Sequence, residues 1–209
     1  MTKIFTFPQY SPEWWEARRG KATASNMHRI LTPKTGKLSA SHVDYICELI
    51  ADLANPGSIA PEGFVSPAMI AGSAMEPHAR RFYEFDRNID VQEVGGCLSD
   101  CGRHWCSPDG LVGEEGGIEI KYPEAKTHVR YMLDGTLPDD YKVQVHSCLL
   151  ITGRKWWDWI SYSERFRPII IRVVPDKFTD ALAVALEEFD KRYREALAKI
   201  GPLEGSAAA

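Results

Sequence analysis

The sequence predicts a mixed fold of the α/β (α+β) class, in which a small central mixed sheet is flanked by helices. Apolar residues recur at helical spacing towards both ends of the chain. Between about residues 91 and 122, short segments rich in β-branched and aromatic residues alternate with glycine-bearing turns. The length of 209 residues and the apolar content of 44% fit one globular domain. We therefore expect a single domain over residues 1–200 and a disordered tail over residues 201–209.

Capping residues place the first two helices. In SPEWWEARRG, Ser11 is the expected N-cap, Pro12 is the first helical residue, and Gly20 ends the segment in left-handed geometry. The segment TASNMHRIL, which follows directly, predicts a second short helix.

Two longer helices are expected next. The first runs from Ser39 to the turn Asn55-Pro56-Gly57, with its apolar positions at Val43, Ile46, Cys47, Ile50 and Leu53. The second begins at Ser66-Pro67 and contains Pro77, so we expect a kink beside Glu76.

The second half of the chain predicts the sheet and the last helices. VQEVGGCLSD, RHWCS, DGLV and GIEIKY read as strands, and GEEGG over residues 113–117 is the clearest turn. A helix over about 138–152 ends at Gly153, and KWWDWISYS and RPIIIRVVP are further strands. The last helix ends at Gly201-Pro202, and its apolar positions are Phe178, Leu182, Leu186, Phe189, Tyr193 and Leu197.

Composition restricts the class of protein. The N-terminus lacks the sections of a secretory signal, and no apolar run approaches the roughly 18 residues of a membrane span. We therefore expect a cytoplasmic protein that does not bind membranes, with its five cysteines reduced. The net charge is −4, but residues 1–37 carry seven basic and two acidic side chains, so the rest of the chain holds −9. This asymmetry suits a protein that grips phosphates at one place and binds cations at another, although on charge alone an uneven solvated surface is the preferred explanation.

The pattern Glu-x-Lys occurs twice, and its context separates the two copies. Glu119 and Lys121 lie two apart in a predicted strand, so they share a face, while Ile120 points to the other face. The second copy, Glu124 and Lys126, follows a proline and is expected in solvent, without a chemical role.

An antiparallel hairpin across the glycine turn would bring Asp109 beside Glu119. Two carboxylates held together repel unless a proton or a cation intervenes. Their hard oxygen ligands favour Mg²⁺ or Mn²⁺. Zinc is the weaker alternative, because the cysteines and histidine just upstream do not have the repeated C-x-x-C spacing of a zinc site; these residues are Cys97, Cys101, Cys106 and His104.

In this chain Pro108-Asp109 precedes Glu119-Ile120-Lys121, and Glu76 lies on an earlier predicted helix. This arrangement resembles the active-site motif of the PD-(D/E)xK nuclease superfamily. The resemblance extends to the lambda exonuclease and YqaJ-like viral recombinase family. Five segments occur in that family's order and character between about residues 12 and 150: RRGKATAS, GSAMEPHARRFYE, CSPDGL, IEIKYP and YKVQVH. Pro77, directly after Glu76, is a departure that bears on the geometry of that helix.

The resemblance implies a 5′-to-3′ exonuclease that digests one strand of linear duplex DNA to mononucleotides and leaves a 3′ overhang for recombination. Asp109, Glu119 and the backbone carbonyl of Ile120 would hold Mg²⁺, with two ions about 3.5–4 Å apart. Glu76 would orient a metal-bound water, and Lys121 would stabilise the developing charge. An ion pair between Lys121 and Glu119 is the structural alternative.

End recognition follows from the same resemblance. Arg18, Ser25, Ser107 and Gln144 would hold the terminal 5′-phosphate, with Thr23-Ala24-Ser25 opening a helix whose N–H groups attract anions. Trp14 and Trp15 are candidates for stacking on bases, although core packing suits at least one of them. The family further implies a homotrimeric ring around DNA and a single-strand annealing protein as partner. A sequence- or structure-specific endonuclease and a catalytically dead DNA-binding module are the alternatives.

Overall fold

The computed structural model describes residues 2–34, 36–56 and 67–203, and it describes side chains from residue 70 onward in the last range. Its helical elements are α1 (Pro12–Arg18), a 3₁₀ helix (Ala24–Arg29), α2 (His42–Ala54), α3 (Pro67–Arg87), α4 (Ala125–Asp134), α5 (Asp139–Thr152) and α6 (Lys177–Ile200). Its strands are β1 (Lys3–Phe5), β2 (Ala22–Thr23), β3 (Gly96–Leu98), β4 (His104–Cys106), β5 (Gly110–Val112), β6 (Gly116–Lys121), β7 (Trp156–Ser161) and β8 (Ile169–Val173).

The strands of the described residues form two four-stranded sheets, ordered β1-β3-β4-β2 and β5-β6-β7-β8. Both sheets are mixed, since β2 runs parallel to β4 and β6 runs parallel to β7, while the other pairs are antiparallel. The mixed α/β class is therefore confirmed, but the prediction of one central sheet is wrong. The first sheet is completed by β1 and β2, which are three and two residues long and so carry no recognisable period.

The N-terminal helices follow their caps, with two corrections. The Ser11 side chain accepts from the backbone N–H of Trp14, and Gly20 has a φ of +63°, both as predicted. The segment after it forms a 3₁₀ helix instead of an α-helix. The third helix begins at His42 and not at Ser39.

The predicted face of α2 is confirmed at Ile46 and Ile50, which are buried, but not at Val43, which is 52% exposed, nor at Cys47, which is exposed. Tyr45 and Leu49 are buried instead. The Tyr45 hydroxyl accepts from the backbone N–H of Thr23, which gives the buried ring a polar partner.

The long helix α3 is continuous through Pro77. Its predicted start at Ser66 and the Gly57 end of the earlier turn lie outside the described residues. Within α3, Ala79 and Tyr83 pack with Ile118 and Ile120 of β6 in a small buried cluster. This packing fixes α3 against one face of the second sheet.

The C-terminal half matches its predicted elements closely. Gly153 and Gly201 end α5 and α6 with φ of +66° and +81°. Asp176 caps α6 in a reciprocal capping box with Thr179. The apolar stripe of α6 enters the larger core cluster, which α2 and α5 complete.

Leu203 also packs on this cluster, and residues 204–209 of the predicted tail lie outside the described residues. In the described ranges, none of the helices has the length and apolar character needed to traverse a lipid bilayer. Each of the five cysteines is a free thiol.

Candidate active site

The hairpin of β5 and β6 brings the predicted carboxylates together. Gly110 pairs with Ile118, so Asp109 lies at the next position along the ladder, opposite Glu119. The Asp109 carboxylate (Oδ2) accepts from the backbone N–H of Ile120 at 2.5 Å. This contact between the chain before β5 and the middle of β6 fixes the direction of the Asp109 side chain.

Glu119 is 3% exposed and has strongly unequal oxygens. Its Oε1 accepts from Lys121 Nζ at 2.6 Å and from Gln144 Nε2 at 2.6 Å. Its Oε2 is buried and has no hydrogen-bond partner among the described residues. A buried carboxylate oxygen without a donor is costly, so this position suits a ligand that offsets the desolvation.

Glu76 reaches the same region from α3, held by an arginine that sequence reasoning missed. Arg80 is buried, and its guanidinium binds the Glu76 carboxylate at 2.5 Å and the Glu93 carboxylate at 2.9 Å. Its Nε donates to the backbone carbonyl of Asp109 at 3.0 Å. One side chain therefore positions two of the predicted site residues. The available signal was the four-residue spacing of Glu76 and Arg80 on a helix.

The electrostatics of the cluster favour a bound cation. Burial, followed by the charges of Glu119 and Glu76, raises the pKa of Asp109 well above its usual range. Burial also raises the pKa of Glu76, which Arg80 partly opposes. Burial lowers the pKa of Lys121, but the charges of Glu119 and Asp109 outweigh it and raise that pKa overall. The two carboxylates therefore favour the ammonium form of Lys121.

The donor set fits a divalent hard cation. The free oxygen of Glu119 and the carboxylate of Asp109 are the ligands that Mg²⁺ and Mn²⁺ prefer, and an ion between them would remove the repulsion that raises the pKa of Asp109. The predicted catalytic and metal-binding roles of Glu76, Asp109, Glu119, Lys121 and the Ile120 carbonyl stay predictions.

Two of the four predicted phosphate-binding residues are held by tryptophans. The Arg18 guanidinium lies over the rings of Trp14 and Trp15, at 4.2 and 5.0 Å from their centroids. The Ser107 hydroxyl accepts from the indole N–H groups of Trp14 and Trp105 at 2.9 and 2.8 Å. Because both lone pairs of Ser107 are used, its hydroxyl hydrogen is available to an incoming acceptor. Trp14 is buried, so core packing is its role.

The other two predicted phosphate-binding residues are placed differently. Ser25 is exposed on the 3₁₀ helix, within 3.4 Å of the Thr23 hydroxyl. Gln144 lies on α5, and its amide donates to Glu119. Gln144 therefore contacts Glu119, and its second amide hydrogen is left for a further acceptor such as the predicted phosphate.

The cysteines flanking the acidic cluster do not join it. Cys97 and Cys106 are buried in the core. Cys101 and His104 lie on the first sheet with Asp190 of α6, and their candidate ligand atoms are within 4.8 Å of one another. Asp190 is already paired, however, with Arg103 at 2.7 Å and with His104 at 3.0 Å. This group therefore ties α6 to β4, and it is separate from the carboxylates around Glu119.

The raised pKa of Asp109 predicts how metal and pH control stability. A carboxyl with a raised folded-state pKa destabilises the metal-free fold as pH rises from its unfolded value through the folded value. In EDTA, Asp109→Asn, which keeps an acceptor for the N–H of Ile120, should melt at a higher temperature than the wild type. We expect this advantage to grow with pH and then level off.

Thermal unfolding monitored by circular dichroism between pH 4 and 9 measures this difference. Added Mg²⁺ should stabilise the wild type at alkaline pH and leave Asp109→Asn nearly unchanged, because only an ionised site binds the ion. Equal Mg²⁺ stabilisation of both proteins would contradict the assignment of Asp109 as a ligand.

Comparisons with known proteins identify the family and the fold. The YqaJ-like viral recombinase domain matches residues 13–155. The structure of LHK-Exo, an alkaline exonuclease from Laribacter hongkongensis, is 31% identical and covers 91% of this chain and 100% of its own, with a TM-score of 0.70; its complex with dAMP gives 0.71 with the same identity and coverage. The comparison with curated proteins found no match.

A phage-related exonuclease from Haemophilus somnus 129PT shares the fold at 12% identity, with a TM-score of 0.60 and coverage of 87% of this chain and 96% of its own. Arg18, Glu76, Asp109, Glu119 and Gln144 all lie within the residues that the domain matches. The chain therefore belongs to the YqaJ-like viral recombinase family and has the mixed α/β fold of the PD-(D/E)xK exonucleases.

Proposed function

We propose that this protein is a Mg²⁺-dependent 5′-to-3′ exonuclease that degrades one strand of linear duplex DNA to 5′-mononucleotides and leaves a 3′ overhang. The observation that carries the proposal is the buried Glu119 carboxylate, with one oxygen unpaired, facing Asp109 and held by Lys121. Membership of the recombinase family and similarity to an exonuclease, LHK-Exo, support the same conclusion.

Asp109 and Glu119 hold the metal in this proposal, with the Ile120 carbonyl as a further ligand. Bound Mg²⁺ supplies Lewis acidity towards the phosphate and lowers the pKa of water, and Mn²⁺ would substitute for it. The protein's part is to place these oxygens: the Ile120 N–H aims Asp109, and Gln144 aims Glu119.

The remaining residues act on water and on charge. Glu76 accepts a hydrogen bond from the attacking water, and Arg80 fixes the carboxylate in that direction. Lys121, whose ammonium form is favoured by the neighbouring carboxylates, would stabilise the negative charge that builds on the phosphate oxygens. Its ion pair with Glu119 is the resting form of the same contact.

Recognition of a DNA end rests on Arg18 and Ser107. Arg18 offers a cation whose pKa is lowered by burial but remains strongly basic, and Ser107 offers the hydroxyl hydrogen that its two indole contacts leave free. Ser25 and Gln144 complete the proposed 5′-phosphate pocket. A homotrimeric ring around the duplex and a single-strand annealing partner belong to this proposal, and family membership supports them.

The test is digestion of linear duplexes with 5′-phosphate or 5′-hydroxyl ends, each in Mg²⁺ or EDTA, scored for mononucleotide release. We expect release only in Mg²⁺ and faster release from phosphorylated ends. A closed circular duplex serves as control, because an end-dependent enzyme leaves it intact. Cleavage of the circle would favour the endonuclease alternative, and Mg²⁺-dependent binding without product would favour the catalytically dead module.

Arg18→Ala should lower the rate on 5′-phosphorylated ends by about tenfold or more, since a hydrogen bond to a charged group contributes about 1.5–3 kcal/mol. The preference over 5′-hydroxyl ends should narrow, and processivity should fall because each cleavage leaves a new 5′-phosphate. The salt dependence of binding should become shallower by about one counterion. Initial rates on the two ends, measured at several salt concentrations, give all three quantities.

Arg19→Ala is the matched control, because the neighbouring Arg19 is paired with Glu16 at 2.6 Å instead of lying over the two tryptophans. Arg19→Ala should keep the wild-type preference for 5′-phosphorylated over 5′-hydroxyl ends. Retention of that preference by Arg18→Ala would place end recognition elsewhere.

A further inference from the structure

A cavity of about 430 Å³ opens beside Glu76 and Asp109. Its walls come from the N-terminal segment before α1, from α3 and from the residues before β5. The lining residues that bear on its use are Gln9, Tyr10, Ser73, Glu76, Arg80 and Asp109. Its volume lies in the range of ligand pockets for small molecules of about 300–1,000 Å³.

Phe7 and Tyr10 are the aromatic residues that line this cavity, and the backbone conformation of Tyr10 is unusual. Its φ of +66° lies in the left-handed region, which bulky residues rarely adopt. Such a conformation persists only where the surroundings hold it, and it concentrates at functional sites. Gln9 provides the hold, because its amide donates to the backbone carbonyls of Val94 and Pro108 at 3.3 and 3.0 Å.

The strained conformation presents an aromatic ring to solvent. Tyr10 is 66% exposed, although the ring of Trp14 packs against it with 5.1 Å between the centroids. Burying this ring more fully in the core would avoid the exposed apolar surface. The fold instead supports the ring from one side and leaves most of it open.

The position of the phenol relates it to both halves of the site. Tyr10 lines the cavity together with Glu76 and Asp109. Partial burial, followed by the charges of these two carboxylates, raises the pKa of Tyr10, while Arg18 and Lys121 act in the opposite direction. Its exposed ring therefore borders the space beside the carboxylates that a nucleoside would enter.

We propose that Tyr10 is a stacking platform for a nucleobase and that the cavity beside it is the subsite for the nucleoside of the nucleotide being removed. The proposal rests on the proposed exonuclease function. An enzyme that removes every nucleotide in turn needs a contact that accepts all four bases, and stacking provides one because every base has a π face. Hydrogen bonds to base edges would instead select among the bases.

Binding of a fluorescent mononucleotide tests the subsite without cleavage. The probe is the 2-aminopurine deoxyribonucleoside 5′-monophosphate, whose emission is quenched by stacking. We expect wild-type protein to quench it in Mg²⁺, and Tyr10→Asn to weaken binding about tenfold with loss of quenching. Asparagine tolerates a positive φ, so this variant removes the ring without forcing the backbone. Tyr10→Phe should restore most of the quenching, because it returns the ring.

Phe85→Asn is the matched control, since Phe85 is 88% exposed and lies nine residues beyond Glu76 on α3. Phe85→Asn should quench the emission of the probe as strongly as the wild type does. Equal quenching by Tyr10→Asn and the wild type would overturn the proposal, as would equal loss in Tyr10→Asn and Phe85→Asn.

A cleavage experiment separates this proposal from the exonuclease function. Initial rates are measured on 5′-phosphorylated duplexes whose terminal nucleotide is either normal or abasic. The wild type should slow about tenfold on the abasic end, whereas Tyr10→Asn, already slow on the normal end, should slow little further. If Tyr10→Asn slowed on the abasic end as much as the wild type does, the proposal that Tyr10 stacks on the base would be overturned. Absence of mononucleotide release by the wild type, with Tyr10-dependent quenching intact, would overturn the exonuclease and leave the nucleotide subsite standing.

Discussion

Replacing Asp109 by alanine should lower the rate of strand cleavage by more than about 1,000-fold, since removal of a single electrostatic contact to a transition state already costs about 10²–10³. Two losses combine in this variant. The carboxylate oxygen that would ligate the ion disappears, and so does the acceptor that fixes the chain to the N–H of Ile120. The Mg²⁺ concentration needed for half-maximal activity should rise in whatever turnover remains. Single-turnover rates across a Mg²⁺ titration measure both effects.

Two matched variants identify the cause. Asp109→Asn keeps the acceptor for Ile120, so an equally inactive Asp109→Asn assigns the loss to the missing charge. Glu114→Ala removes an exposed carboxylate from the turn of the same hairpin and should cleave at the wild-type rate. Near-normal turnover by Asp109→Ala would show that the pair of carboxylates, Asp109 and Glu119, is not required for cleavage.

Lys121→Ala should lower kcat by about 100- to 1,000-fold while DNA binding changes little, because its charge is needed as the phosphate becomes more negative. Lys126→Ala should cleave at nearly the wild-type rate. The two lysines stand in the same local pattern, yet Lys121 Nζ is 2.6 Å from Glu119 at the end of β6, whereas Lys126 is exposed on α4.

Rates at saturating DNA, together with the Kd of an uncleavable duplex, separate chemistry from binding. Lys121→Ala also leaves the buried Glu119 without its cation, so its thermal unfolding must be measured beside its kinetics. Similar loss of kcat in Lys121→Ala and Lys126→Ala would contradict the assignment of the first copy as the catalytic one.

The hairpin could be predicted because its information is local. A glycine turn between two short apolar segments fixes the register, and the register places Asp109 opposite Glu119. The helix α6 was equally readable, since Leu182, Leu186 and Phe189 recur at helical spacing over many turns and are all buried. Elements whose own residues contain the whole signal are recovered well.

Features that depend on residues far away in the sequence could not be predicted from the local pattern. The residues of β1 do not by themselves predict a strand. The segment is a strand because it pairs with β3, for example Lys3 with Leu98. The face of α2 was misjudged because Tyr45 bonds to a residue 22 positions away. Arg80 resembles any surface arginine until the fold brings the Asp109 carbonyl against it. Tyr10 is informative only through its backbone conformation, which the sequence does not show.

Pro77, inside α3 and directly after Glu76, has an effect on the site that goes beyond helix geometry. In an α-helix the carbonyl of Ser73 would accept from the N–H of residue 77, which proline lacks. Ser73 borders the cavity beside Glu76 and Asp109. The Ser73 carbonyl thereby loses the partner that an N–H at position 77 would supply, so a helix that borders the cavity has one backbone acceptor outside its own ladder.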